Sequence, residues 1–394
     1  MSLPPPPNPY GGQTPYGGQP PYGGQPQWAG QQPGGGGGQF SGPPSWGPPP
    51  QQPQWGGPPP GPPPSKGGKG KWIPGGVIVL LVIALAVTVT ILVTRDGSNG
   101  NSPMPPGDGQ ASEFASANDT GPVNIITEDP TCDAWGRISR EYADRTKAVN
   151  WSGRDKAIPS PAWTPEQRAM YQSVGEALGE AVDQTVALIT RTPHRSMREL
   201  YQQFVAYGRV FIDKMPTYVE ADGPLAGAAD GLTSTIAAIC SAIDYEVAQP
   251  LAPLISEVEA PSSIAPLEDP ANPKVFLPNS NPICAQWNDN LGKSDAETAA
   301  WRALDPSVPA REWTAEQRSI NESVAPIMAA VADKYENMAR SSGNPVLEDF
   351  GTLAAQYQRA FVESLPTYTP ADNYLSNVAT FLASSVNSGC RAAS

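Results

Sequence analysis

This 394-residue chain has one histidine, no close pair of cysteines, and no charged side chain before Lys66. Each absence excludes a class of chemistry. A Ser-His-Asp or Cys-His device would have to use His194, which sits in the turn-like TPHRS before a helix start. Without C-x-x-C spacing or clustered His and Asp, no metal site has a ligand set to stand on, and no cofactor is expected. Acids outnumber bases 38 to 25, a net charge of −13. The first 72 residues hold three lysines and no acid, so the remainder carries −16. A surface that acidic does not attract phosphate, and nucleic acid is excluded as its partner. The glycine run at Gly34 to Gly38 has no G-K-[ST] ending and is not a phosphate loop. Strand-type alternation is missing throughout.

What is present divides the chain at one place. Val77 to Val93 (VIVLLVIALAVTVTILV) is uncharged. A helix over 73–95 spans about 33 Å, enough for a bilayer core of roughly 30 Å. Lys66, Lys69 and Lys71 precede it, and only Arg95 follows, so the positive-inside rule predicts N-in, C-out. Residues 1–72 repeat PYGGQ from Pro9, Pro15 and Pro21 and read as a disordered Pro/Gly/Gln-rich cytoplasmic tail. Residues 96–130 read as a flexible stalk and 96–394 as extracytoplasmic. All four cysteines lie on that side, where disulfides form. Asn118, Asn150 and Asn321 match the N-x-[ST] sequon by chance.

Beyond the stalk the chain is duplicated. A shift of 150 residues lays Trp163-Thr-Pro-Glu-Gln-Arg168 on Trp313-Thr-Ala-Glu-Gln-Arg318, Trp151 on Trp301, and Cys240 on Cys390. Cys132 meets Cys284 at a shift of 152. The expected architecture is all-α: two homologous, small, disulfide-closed helical bundles at 131–243 and 282–394, joined by a proline-rich acidic linker at 244–281. Capping boxes are expected at Thr164–Gln167 and Ser196–Glu199, and a kink at Pro326. Four cysteines allow three pairings. The duplication favours Cys132–Cys240 and Cys284–Cys390, since a bridge inside the ancestral unit survives copying. Each would close a loop of roughly 110 residues, worth on the order of 4 to 5 kcal/mol in the chain-entropy account.

The PYGGQ tail, the lysine-flanked span and the alanine-rich outer part with spaced cysteines resemble proline-rich single-pass membrane proteins of actinobacteria, mycobacteria in particular. That resemblance implies a cell-envelope setting and transfers no site residues. From the residues themselves, the matched Trp151, Trp163 and Arg168, with Trp301, Trp313 and Arg318, are candidates for contact with a glycan, peptide or partner protein. The competing account has them locking a loop onto each bundle. Arg209 and Arg359 read as internal ion-pair members. The matched acids Glu166/Glu316 and Asp183/Asp333 are the remaining hydrolase candidates, although a carboxylate in a first helical turn is favoured by the macrodipole anyway. The reading that results is a membrane-anchored, non-enzymatic envelope adaptor or scaffold. A binding domain for a wall glycan, lipid or small ligand is the alternative, and an acid-based hydrolase a remote one.

Overall fold

The computed structural model describes residues 113–394, so the tail at 1–72, the span at 73–95 and the first part of the stalk lie outside the described residues. The described chain is all-α. The first copy contains α1 (Cys132–Ala148), α2 (Pro165–Ile189), α3 (Arg195–Lys214) and α4 (Gly223–Asp244). A one-turn helix, α5 (Ala248–Leu251), follows. The second copy contains α6 (Cys284–Glu297), the short α7 (Ala299–Arg302), α8 (Ala315–Arg340), α9 (Pro345–Ser364) and α10 (Asn373–Ala392).

Local chemistry explains most of the boundaries. Thr164 and Gln167 form a reciprocal capping box at the start of α2, with Pro165 where a missing N–H leaves nothing unpaired. Thr314 and Gln317 do the same for α8. That helix continues through Pro326 for all 26 residues. The expected capping box at Ser196–Glu199 is absent. The cap of α3 is His194, Ser196 is already helical, and Glu199 is fully buried. In the second copy Asn344 takes the His194 position and its side chain accepts from Leu347 N at 3.0 Å.

Both disulfides pair first helix with last: Cys132–Cys240 at a Cα separation of 5.3 Å and Cys284–Cys390 at 5.5 Å. The copies join mainly through α4 against α10, with α3 against α9 as a second contact. Small residues permit the first crossing, since a Cβ at Gly231 would run into Ser385. The helix Glu220–Asp244 is long and apolar enough by composition to cross a membrane, but 61% of that window is buried inside the body. It is the core helix of copy one.

Two segments differ from expectation. The stalk reading fails from residue 114 on, where Val123, Ile125 and Ile126 are buried. Ile126 N donates to the Tyr357 hydroxyl of the other copy at 3.1 Å. The linker is likewise no free tether. Phe276 N donates to Gln203 Oε1 at 2.8 Å, and Gln203 Nε2 donates to Lys274 O at 3.0 Å. Each arm therefore reaches the opposite copy while remaining bonded to its own. The two arms match: Asp129 accepts from Thr131 N as Asn281 accepts from Ile283 N, again 152 residues apart. The repeated unit thus begins before its cysteine. Apolar arm residues were hidden among the polar ones around them, which is why composition alone read as stalk and linker.

Candidate functional site

The aromatic candidates come first. Trp163 stacks on Tyr171 at 3.9 Å and donates from Nε1 to Ile158 O at 2.9 Å. Trp151 meets Tyr171 edge-on at 4.9 Å, and the Arg154 guanidinium lies 3.4 Å over its ring. Arg168 donates to Ser160 O at 3.4 Å. In the second copy Trp313 repeats the bond to Val308 O at 2.9 Å, and Arg318 the bond to Ala310 O at 3.0 Å. Asn321 replaces Tyr171 there, so Trp313 stacks on Tyr368 instead, and Trp301 rests against Phe361. Trp151 and Trp163 are buried, whereas Trp301 and Trp313 are half-buried. The six residues form two separate latches that pin a loop to each bundle. They do not converge on one groove.

The remaining sequence candidates are dispersed. Glu166 is solvated, and hydrogen bonds from its own backbone and from Thr164 hold its carboxyl below the ordinary range. Asp183 is exposed and pairs with Arg209 at 3.5 Å. Arg359 bridges Asp333 and Glu336, each at 2.7 Å, the ion-pair role expected of it. His194 places Nε2 2.8 Å from Glu128 O, against the first arm.

The strongest concentration of buried charge was not among those candidates. Where α3 and α9 meet, Arg195, Arg198, Glu199 and Asp349 are all essentially sealed from water. Arg195 Nε donates to Asp349 Oδ2 at 2.6 Å and Nη2 to Oδ1 at 3.2 Å, a two-pronged pair between the copies. The same guanidinium donates to Asp119 O and Gly121 O of the first arm. Arg198 pairs with Glu199 at 3.3 Å and donates to Ser116 at 3.3 Å. Burial, then the neighbouring Asp349 charge, pushes the Glu199 carboxyl well above the usual range. The neighbouring Asp349 carboxyl is also raised by burial, despite the opposing Arg195. The Glu348 carboxylate, next to Asp349, accepts from Ser262 N at 3.1 Å and Ser262 Oγ at 2.6 Å. It also pairs with Arg340, which in turn donates to Glu259 O. One seam therefore binds both copies and both arms.

Periodicity does not find such a cluster, because the acid that matches Arg195 comes 154 residues later. The only signal was that position 198 is Arg in one copy and its equivalent, 348, is Glu in the other.

A second acid, the half-buried Asp230, accepts from the Tyr142 hydroxyl at 3.0 Å. Burial raises its carboxyl, opposed by Arg154 and Lys156. Its equivalent is Thr380, so this feature belongs to one copy. Among the described residues no group of three or more potential metal ligands converges.

Comparison with known proteins matches residues 114–394 to the family described as mycobacterial ESX-1 associated protein. The chain belongs to that family. The match starts at the first arm, beside the first described residue, and not at the cysteine of α1. An uncharacterized protein of Mycolicibacterium smegmatis (strain MKD8) is 42% identical over 331 residues, covering 83% of this chain and 87% of its own length. That share exceeds what 114–394 supplies, so the similarity extends into the N-terminal segment. No solved structure matches the chain.

Proposed function

We propose that this ESX-1 associated family member is a non-enzymatic envelope adaptor. A single-pass anchor at 73–95, N-terminus in the cytoplasm, carries an outer module that contacts another protein. The observation that carries the reading is the seam: two copies and two arms are tied by buried ion pairs into one stiff platform. A scaffold benefits from that rigidity because a pre-ordered surface loses less entropy on binding. The dispersal of Glu166, Asp183 and His194 supports the non-enzymatic part. Commitment of the tryptophans to loop packing disfavours an aromatic glycan groove. Crosslinking in intact cells tests the proposal, with a protein adduct expected on the outer module. Recovery of no protein on either side of the membrane overturns it.

A further inference from the structure

The linker between the copies holds apolar side chains out to solvent on a fastened backbone. Among the described residues four large apolar side chains are exposed, and three of them, Leu254, Ile264 and Leu267, lie between the end of α5 and residue 267. The segment is tied down at intervals. Gln356 Nε2 donates to Ser256 O at 3.2 Å, Arg340 donates to Glu259 O, and Ser262 is bound to Glu348 at the seam. Further along, Glu268 accepts from Lys274 N at 3.0 Å, and Asp269 accepts from Ala271 N at 2.9 Å and from Asn272 Nδ2 at 2.8 Å. Between those anchors, residues 263–267 make no hydrogen bond within the described chain. Ile264 is 39% and Leu267 44% exposed on this span.

Neither helix nor strand forms over 256–269. Pro261, Pro266 and Pro270 bias the residues before them toward extended backbone. In an extended chain of three residues per turn, Pro261, Ile264, Leu267 and Pro270 fall on one face. Charge along the segment has one sign. No lysine or arginine occurs between Lys214 and Lys274, and 255–274 carries four acids, Glu257, Glu259, Glu268 and Asp269, against Lys274 alone. The nearby cations of the body are committed elsewhere, Arg340 to Glu336 and Glu348, and Arg209 to Asp183. Hydrogen bonds from Asn272 and Ala271 hold the Asp269 carboxyl below its ordinary range, so it is ionised at neutral pH.

We propose that residues 261–270 are the docking element for a partner protein whose groove takes an extended chain, with apolar pockets for Ile264 and Leu267 and a rim of lysine or arginine. The proposal rests on the adaptor reading and names the segment the partner grips. Unbonded backbone groups supply main-chain hydrogen bonds to such a groove, and the two aliphatic side chains supply the selectivity. Because the span is fastened at both ends before binding, it loses less entropy than a free peptide would. The exposed acids set orientation and association rate more than total affinity.

The test places a benzophenone amino acid at Ser263 in the full chain in intact cells, with control positions at Val219 and Glu176. The expected result is an adduct at Ser263 to a different protein, mapping to a peptide of that protein that contains lysine or arginine. Its yield should fall about tenfold in I264S/L267S, which removes both apolar anchors. It should fall about threefold in E268Q/D269N, which keeps an acceptor for Lys274 N and Ala271 N while removing two exposed charges. Both variants should melt with the wild type, since the altered side chains lie outside the core. An adduct to another copy of this chain, to its own residues 1–112, or to lipid or glycan overturns the docking element. So does a protein adduct indifferent to I264S/L267S, and one indifferent to E268Q/D269N overturns the basic rim. Protein adducts at the controls but none at Ser263 overturn the docking element and leave the adaptor reading standing. No protein adduct at any position removes both.

Discussion

Arg195 ties the two copies and the first arm together through one side chain. It is 1% exposed, yet its guanidinium is matched by Asp349 from the opposite copy and by carbonyls at Asp119 and Gly121 of the first arm. Burial alone would favour its neutral form, but the nearby acids outweigh that and leave its pKa raised. A buried ion pair is weak evidence of net stability, whereas breaking one is costly because the surviving charge has no water to turn to. Arg195→Met should therefore destabilise the module by roughly 3 to 5 kcal/mol, read as a shift in the urea midpoint. Wild-type stability in that variant would remove the seam from the argument. The same logic explains why Arg198 stands beside Glu199 and Ser116 rather than alone.

At the level of elements, α3 and α9 share a carboxylic acid pair. The Glu199 carboxyl is raised by burial and by Asp349. A folded pKa above the unfolded one gives a contribution that is complete below the unfolded carboxylate range, about 4.3. It is lost as pH rises from there through the folded value. Asp349, also raised, acts in the same direction. Stability should decline as pH climbs from the mildly acidic range, and Glu199→Gln should flatten that decline while changing stability at low pH by about 1 kcal/mol or less. Thermal melts of both proteins across pH check this. A slope unchanged by the substitution would assign the pH dependence to other groups. The pairing of α4 with α10 has a different basis, in small residues such as Gly231 opposite Ser385 and in apolar burial at Leu232, Ile236, Leu382 and Val386.

For the whole molecule, the two copies are closed by exchange of arms. The first arm bonds to Tyr357 of the second copy, and the second bonds to Gln203 of the first. A fragment starting at residue 131 keeps both disulfides and all ten helices, yet loses Val123, Ile125 and Ile126 from the core. At roughly 1.5 to 3 kcal/mol for each buried aliphatic side chain, the deficit is several kcal/mol against a fragment starting at 113. Denaturation of the two fragments side by side measures it. Equal stability would return residues 113–130 to the role of a stalk.

Much of this body was legible in the sequence, and the particular residues say why. Trp163-Thr-Pro-Glu-Gln-Arg168 and its twin carry helix-start chemistry, which is local, so the boundaries of α2 and α8 follow from a few adjacent side chains. The duplication converted four cysteines into two pairings, and both are present. The all-α class followed from apolar spacing of three and four. The rest depended on contacts between residues far apart in the chain. Glu199 looked like half of a helix cap until Asp349 arrived from the other copy. The apolar run at 123–126 looked like part of a stalk until Tyr357 offered it a hydroxyl. Local rules decide elements because their causes lie within a turn or two. Only the folded body decided where the copies meet and which charges are sealed there, because those outcomes depend on which distant surfaces come to share one volume.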